Sequence, residues 1–446
     1  MNPYAEEQVA GRRVVLDRLD RDGAALAELL RDRGADVWIA DHAPDADVPE
    51  GCTLVHERAA AAQRADLLLV DCWTPETAAH VVQARERGIP VGCLADLILY
   101  EWPTPVIGVT GTAGKTTTAR LIAHLLDADG WDVLIPPTGR AENAWPSADT
   151  LTDLVEGRAP DVLVVELTST HLAYMSTSPS TAVVTSLSAD HAELHGSEGR
   201  YFASKQRILV HQEPGDSAVL PLDAPAMVPR TGVRVIRFDA TEPLAIASHV
   251  APHLRSNVAC AVAVVRDALG ADVEQDDIDS FVMPAWRGEC IGRTGEVAVF
   301  HNGMAATPSK AKAFVEVLPD RSSVLIVGGL SDMDNGPVHT SPAEQRLLRE
   351  ACAEFARAAR RIVLIGPAAA KVAPLLAKAG ATDVQIGPDL HWATAEAMRE
   401  LEGVGQIVWV PAFPVELQDR ERFADLISGA AQSAGREWAS IAADAN

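Results

Sequence analysis

A chain of 446 residues is too long for one hydrophobic core, so two to four domains are expected. Its 62 acidic against 38 basic side chains give a formal net charge of -24, which argues against nonspecific attraction to nucleic acid or to an anionic membrane. The six cysteines are scattered with no C-x-x-C pair, which predicts reduced core thiols and a cytoplasmic protein. The acidic start, Met1 to Glu7, has no apolar segment behind it, so no signal peptide is expected, and no apolar run reaches membrane-span length.

Residues 11–100 alternate strand and helix. Arg13–Leu16, Asp36–Ala40, Ala65–Val70 and Pro90–Cys93 read as strands, with helices over Gly23–Arg33 and Thr77–Arg87. This predicts a small parallel α/β domain. Its first turn is Asp17-Arg18-Leu19-Asp20-Arg21-Asp22-Gly23, and three aspartates with one late glycine do not suit a diphosphate. Trp102-Pro103-Thr104-Pro105 reads as a linker.

The next stretch carries the strongest signal. Val106–Val109 is an apolar run, Thr110-Gly111-Thr112-Ala113-Gly114-Lys115 is a small-residue turn, and Thr116–Leu126 has helical spacing. Strand, Gly-rich turn and helix in that order make a phosphate cradle, in which backbone N–H groups and the positive end of the helix face the anion. Lys115 would reach the outer phosphates and the Thr116 hydroxyl would sit on Mg²⁺. The usual first glycine of such a loop is replaced by Val109, and Gly111 lies inside the loop instead. The chain has only six lysines against 32 arginines, so a lysine at this one position stands out.

Two further strands end in polar side chains. Asp161–Glu166 finishes on a carboxylate, and Thr181–Leu187 is followed by Asp190-His191. Ligands of open parallel sheets collect at the C-terminal ends of strands, so Glu166 and His191 are candidate Mg²⁺ ligands beside the cradle. Ser197 reads as a helix cap, and Tyr201, Lys205 and Ile208 recur at helical spacing after it. From the residues alone Lys205 reads either as a surface ion pair or as a depressed lysine able to form a carbamate with CO₂, the former being favoured.

In order and spacing these stretches resemble the Mur ligases, and among them the branch that adds D-glutamate to UDP-N-acetylmuramoyl-L-alanine. The resemblance rests on Thr110–Thr117, Glu166-Leu167-Thr168-Ser169-Thr170-His171-Leu172, Asp190-His191-Ala192-Glu193-Leu194-His195-Gly196-Ser197, Tyr201-Phe202-Ala203-Ser204-Lys205, and His253 to Asn257 before an Ala-rich helix. Pro284-Ala285-Trp286-Arg287 and His301 to Pro308 look like the family's interdomain and nucleotide-contact segments. The resemblance implies an α/β protein of three domains: a Rossmann-like N-terminal domain for the acid (1–103), a central P-loop domain with a mostly parallel sheet for ATP (104–293), and a Rossmann-like C-terminal domain for the amine (294–446). Ser323–Val327, Arg361–Ile365 and Ile407–Val410 read as strands of the last.

The implied reaction is ADP-forming: ATP phosphorylates a carboxylate, an amine attacks the acyl phosphate, and an amide forms. By the same resemblance, Gly111, Thr112, Ala113, Gly114, Lys115, Thr116 and Thr117 cradle the phosphates. Asn257, Arg287 and Asn302 contact the nucleotide. Thr116 and Glu166 bind one Mg²⁺, and His191 with a carbamylated Lys205 binds a second. Lys115, His191 and Lys205 are the implied catalytic residues. The partners implied are a small-molecule acid and an amino acid, with no nucleic acid or membrane, and a monomer is the default.

The departures fall at the edges. Asn302 stands where the family commonly has Asp, and Trp286 stands where His precedes the linker Arg. The D-glutamate branch has a Lys after a Gly-Gly turn, but Gly328-Gly329-Leu330-Ser331-Asp332-Met333-Asp334 has none, and Val415 falls near that branch's late Ser. These changes predict a ligase with an intact core acting on a non-standard acid and amine in specialised metabolism. A divergent D-glutamate-adding ligase, or an ATP-binding partner protein without ligase activity, are the alternatives.

Overall fold

The structure is a computed structural model that describes residues 2–41, 48–136, 142–188, 190–222, 224, 227–239, 254–329, 342–367, 369–413 and 415–441. It contains three separate β-sheets flanked by helices. The first two lie in one compact unit (residues 1–187, 191–242 and 257–277) and the third in another (188–190, 243–256 and 278–446).

The first sheet is built from β1 (Arg13–Leu16), β2 (Asp36–Ala40), β3 (Thr53–Val55), β4 (Leu67–Leu69) and β5 (Val91–Gly92), in the order β3-β2-β1-β4-β5. All its pairings are parallel. The strands expected over residues 65–70 and 90–93 are present but shorter, and β3 was not legible as an alternating or apolar run. From β1 the chain moves to β2 and β3 on one side and later to β4 and β5 on the other. The end of β1 is therefore a switch point, where a parallel sheet leaves a crevice.

The second sheet comprises β6 (Val106–Thr110), β7 (Val133–Leu134), β8 (Val162–Glu166), β9 (Thr181–Val184), β10 (Ser217–Pro221) and β11 (Arg234–Phe238), in the order β11-β10-β9-β6-β8-β7. Every residue of β6, β8, β9 and β10 is buried, as expected for parallel strands covered on both faces. Here β6 is the switch strand, between β8 and β9. The register sets Val109 beside Glu166 and Thr110 beside Val184. Three loops that are distant in sequence therefore emerge side by side at one sheet edge.

The two sheets of this unit share buried polar ties. Asp96 accepts from Tyr4 Oη at 2.8 Å, from the backbone N–H of Ser176 at 2.8 Å and Thr177 at 3.0 Å, and from Ser176 Oγ at 2.7 Å. His195, wholly buried, meets Glu76 Oε2 through Nδ1 at 2.9 Å and Ser169 Oγ through Nε2 at 3.0 Å. Tyr174 Oη donates to the Thr74 carbonyl at 2.7 Å. Buried groups bonded this fully fix a single relative arrangement of the two layers.

The third sheet holds β12 (Glu289–Thr294), β13 (Val297–His301), β14 (Ser323–Val327), β15 (Ala359–Ile365), β16 (Val384–Gly387), β17 (Gln406–Trp409) and β18 (Ala439–Ser440). Its order is β16-β15-β14-β17-β13-β12-β18, parallel except for the pairings of β12. Its core joins Val324, Ile326, Val363, Ile407 and Trp409 of the strands to Phe423 and Ile427 of the helix Leu417–Ser433. No helix among the described residues is long and apolar enough to cross a membrane.

Candidate active site

The cradle forms where β6 runs into the helix Lys115–Ala128. Gly114 caps that helix at φ 84°, a left-handed conformation that glycine adopts without a Cβ penalty. A Cβ there would lie 2.6 Å from Asn257 Oδ1, so the Asn257 side chain sits directly over the loop. Gly111 has φ 150°, and a Cβ on it would meet Thr185 Oγ1 at 2.0 Å. The loop passes too close to the end of β9 for any other residue.

That closeness is bonded. Thr112 N–H donates to the Ser186 carbonyl at 2.9 Å, Ala113 N–H to Ser186 Oγ at 3.1 Å, and Thr185 Oγ1 to the Ala113 carbonyl at 2.6 Å. Thr112 Oγ1 is 2.9 Å from Tyr201 Oη. Two of the loop's N–H groups thus hold its shape and do not face the crevice as the sequence reading expected. The first intrahelical bond runs from Thr118 N–H to the Gly114 carbonyl. Donors for an anion therefore come from the first helical turn, residues 115–117, which has no intrahelical acceptors. Thr117 is buried in that turn.

Lys115 and Thr116 meet the end of β8. Thr116 Oγ1 donates to Glu166 Oε2 at 2.5 Å and lies 3.2 Å from Asn143 Oδ1. Lys115 Nζ lies 3.7 Å from Glu166 Oε1 and donates to the Gly111 carbonyl at 3.2 Å. Hydroxyl, carboxylate and amide oxygen at one point are a hard oxygen donor set, which fits Mg²⁺. Asn143 was missed in the sequence because it lies in a segment without periodicity. Its nearest signal was a polar residue two positions from the apolar Trp145-Pro146.

Lys205 is 2 % exposed, which corrects its reading as a surface residue. It sits on the helix Glu198–Val210, capped by Ser197 as expected, with the side chain accepting from Arg200 N–H. Its Nζ donates to the Gly111 carbonyl at 2.9 Å and to Thr110 Oγ1 at 3.3 Å, 4.9 Å from the Tyr201 ring centroid. Two of the chain's six lysines thus converge on one carbonyl of the loop. The positive charge of Lys115 on a glycine-rich turn suits a polyphosphate. His191, with φ 50°, also lies near Tyr201, ring centroids 6.3 Å apart.

His171, in the segment after Glu166, is buried, and burial lowers its imidazole to about 4. Its Nδ1 accepts from Thr168 N–H at 3.3 Å, capping the helix Ser169–Tyr174. It is a neutral structural group at physiological pH.

Arg287 and Asn302 belong to the other unit. Arg287 Nη1 donates to the Ala285 carbonyl at 3.1 Å. Asn302 is buried just past β13, with its N–H bonded to the Trp409 carbonyl at 3.0 Å. Trp286, at φ 63°, stacks on His301 with centroids 6.0 Å apart. The turn from Leu330 to Asp334, including Asp332, and His253 lie outside the described residues.

Residues 109–264 match the Mur ligase middle domain. The UDP-N-acetylmuramoylalanine–D-glutamate ligase of Desulfosudis oleivorans is 28% identical over 419 residues, covering 83% of this chain and 85% of that protein. The chain is similar to Mur ligases along most of its length. The enzyme of the same name from Pelotomaculum thermopropionicum is 33% identical over 237 residues, where the match spans only half of each chain. The MurF ligase of Thermotoga maritima, solved in complex with ADP, shares the fold with a TM-score of 0.61 at 15% identity, over 97% of both chains. Members of this family are ATP-dependent, ADP-forming ligases that make C–N bonds. The matched segment contains the phosphate cradle, Glu166, His191, Lys205 and Asn257.

Proposed function

We propose that this protein is a Mur-type ligase that joins a carboxylic acid to an amine at the expense of ATP, through an acyl phosphate, with release of ADP and phosphate. The observation that carries this reading is the convergence of Lys115, Lys205, Thr116 and Glu166 on one loop at the end of β6. Residues 1–103 take the acid, 104–293 take ATP, and 294–446 bring the amine. Lys115 and the first-turn N–H groups stabilise the phosphoryl group in transfer. Mg²⁺, when bound, neutralises phosphate charge and is held by Thr116 and Glu166 with Asn143. Lys205, carbamylated, joins His191 in holding a second ion, and Asn257, Arg287 and Asn302 contact the nucleotide. The work is cytoplasmic, and the protein acts as a monomer.

The acid and the amino acid are not both those of peptidoglycan synthesis, and specialised metabolism is the setting. The aspartate-lined first turn and the missing lysine after Gly328-Gly329 support this. Incubation with ATP, Mg²⁺, UDP-N-acetylmuramoyl-L-alanine and D-glutamate should release little phosphate. Efficient turnover of that pair would favour the second reading, a divergent D-glutamate-adding ligase, which the names of the relatives support.

A further inference from the structure

Tyr201 is buried, and no step of the reaction proposed above uses it. It lies one helical turn before Lys205 on the helix Glu198–Val210, so the two side chains leave the same face. A tyrosine buried for packing alone needs some partner for its hydroxyl but no particular one. Here the partner is Thr112 Oγ1 at 2.9 Å, inside the phosphate loop.

That partner matters because of the peptide unit it is attached to. The Gly111 carbonyl, the Thr112 N–H and Thr112 Cα lie in one plane. The carbonyl side accepts from Lys115 Nζ at 3.2 Å and from Lys205 Nζ at 2.9 Å, while the N–H side donates to the Ser186 carbonyl at 2.9 Å. Gly111, at φ 150°, has no Cβ to restrict rotation of that plane. The Ser186 carbonyl and, through the Thr112 side chain, the Tyr201 hydroxyl hold its tilt. Where the carbonyl points, the two lysine nitrogens follow. A carbamylated Nζ keeps one N–H, so the same carbonyl places Lys205 in either state.

The Tyr201 ring is itself anchored. His195 packs edge-on against it with centroids 5.6 Å apart, and that imidazole is held by Glu76 Oε2 at 2.9 Å and Ser169 Oγ at 3.0 Å. The hydroxyl therefore reaches Thr112 from a fixed direction.

We propose that Tyr201 is a positioning residue of the nucleotide site: its hydroxyl, acting through Thr112, orients the Gly111–Thr112 peptide and so places Lys115 for the outer phosphates and Lys205 beside them. The inference rests on the ligase reading above, and its test uses binding in place of turnover.

The test is calorimetric titration of the full chain, in Mg²⁺, with the non-hydrolysable analogue β,γ-imido-ATP. Tyr201→Phe, which keeps the ring, should weaken binding about fivefold or more, the equilibrium worth of one hydrogen bond. Thr112→Val should weaken it by a similar factor. The double variant should bind no more weakly than the poorer single one, because both changes remove the same link. Tyr174→Phe loses a buried hydroxyl bond of the same kind, to the Thr74 carbonyl, and should lower the melting temperature while leaving the affinity unchanged. Wild-type affinity in Tyr201→Phe, losses that multiply in the double variant, or equal weakening in Tyr174→Phe would each overturn the proposal. In those outcomes the unmodified chain still binds the analogue and the ligase reading stands. No binding by the unmodified chain would defeat that reading, and this proposal with it.

Discussion

Lys115 and Lys205 share an acceptor, the Gly111 carbonyl, but they have different tasks. Lys115→Ala should lower ATP turnover on the order of 10²-fold or more, because stabilisation of developing charge is the largest catalytic term. Full activity in a steady-state assay would remove Lys115 from the cradle. Lys205→Ala should also cripple turnover, with partial recovery in added formate or acetate, which supply the anion a carbamate would carry. Loss without any recovery would argue that Lys205 acts as a buried ammonium on Gly111. Periodicity placed Lys205 on a face with Tyr201 and Ile208 but not at the loop. Its burial depends on the β6–β9 register, which one sequence does not contain.

A pH dependence follows from two buried imidazoles, His171 and His301, each lowered by burial to about 4. His301 Nδ1 accepts from Gly303 N–H at 3.1 Å and its Nε2 lies 2.8 Å from the Arg420 carbonyl, a pattern that requires the neutral ring. The folded pKa lies below the ordinary value near 6.5, so the unfolded chain binds more protons between the two. The stability from these rings is therefore complete above about pH 6.5 and is lost as pH falls toward 4. Thermal melts over that range should show falling midpoints. His301→Gln, less stable at neutral pH, should show a shallower fall, and an unchanged slope would contradict the assignment.

At the scale of elements, the parallel pairing of β6 between β8 and β9 makes the site. Glu166, Thr185 and the glycine loop are brought together by register alone. The loop has no room at Gly111, where a Cβ would fall 2.0 Å from Thr185 Oγ1. Gly111→Ala should weaken ATP binding measured by titration, while Gly130→Ala, which meets nothing within 4 Å, should not. Equal effects would mean that only the positive φ matters, since Gly130 has φ 88°. The strand–turn–helix order, the Ser197 cap and β14 were legible in the sequence because each has a local signal: an apolar run, a capping residue or a glycine at a turn. Asn143 and the tie from Ser186 to the loop were not, because irregular segments and hydrogen bonds between distant residues leave no period.

At the scale of the molecule, three α/β layers were legible from alternating strand and helix patterns, and the family resemblance ordered them. The two-sheet unit was not, since it depends on buried contacts such as Asp96 with Tyr4 and Ser176. The same resemblance conveys the reaction type but not the substrates, because its specific motifs belong to the cradle and the departures to the pockets. The net charge of -24 bears on solubility and on which ligands approach, and leaves the chemistry to the sites. The most direct test of the ligase reading is phosphate release from ATP and Mg²⁺, with a panel of amino acids set against two acid pools, UDP-muramoyl compounds and small carboxylic acids. Release that requires both an acid and an amine, and that disappears in Lys115→Ala, is the predicted result. ATP binding with no turnover for any pair would contradict it, and would make the protein a nucleotide-binding partner built on a ligase fold.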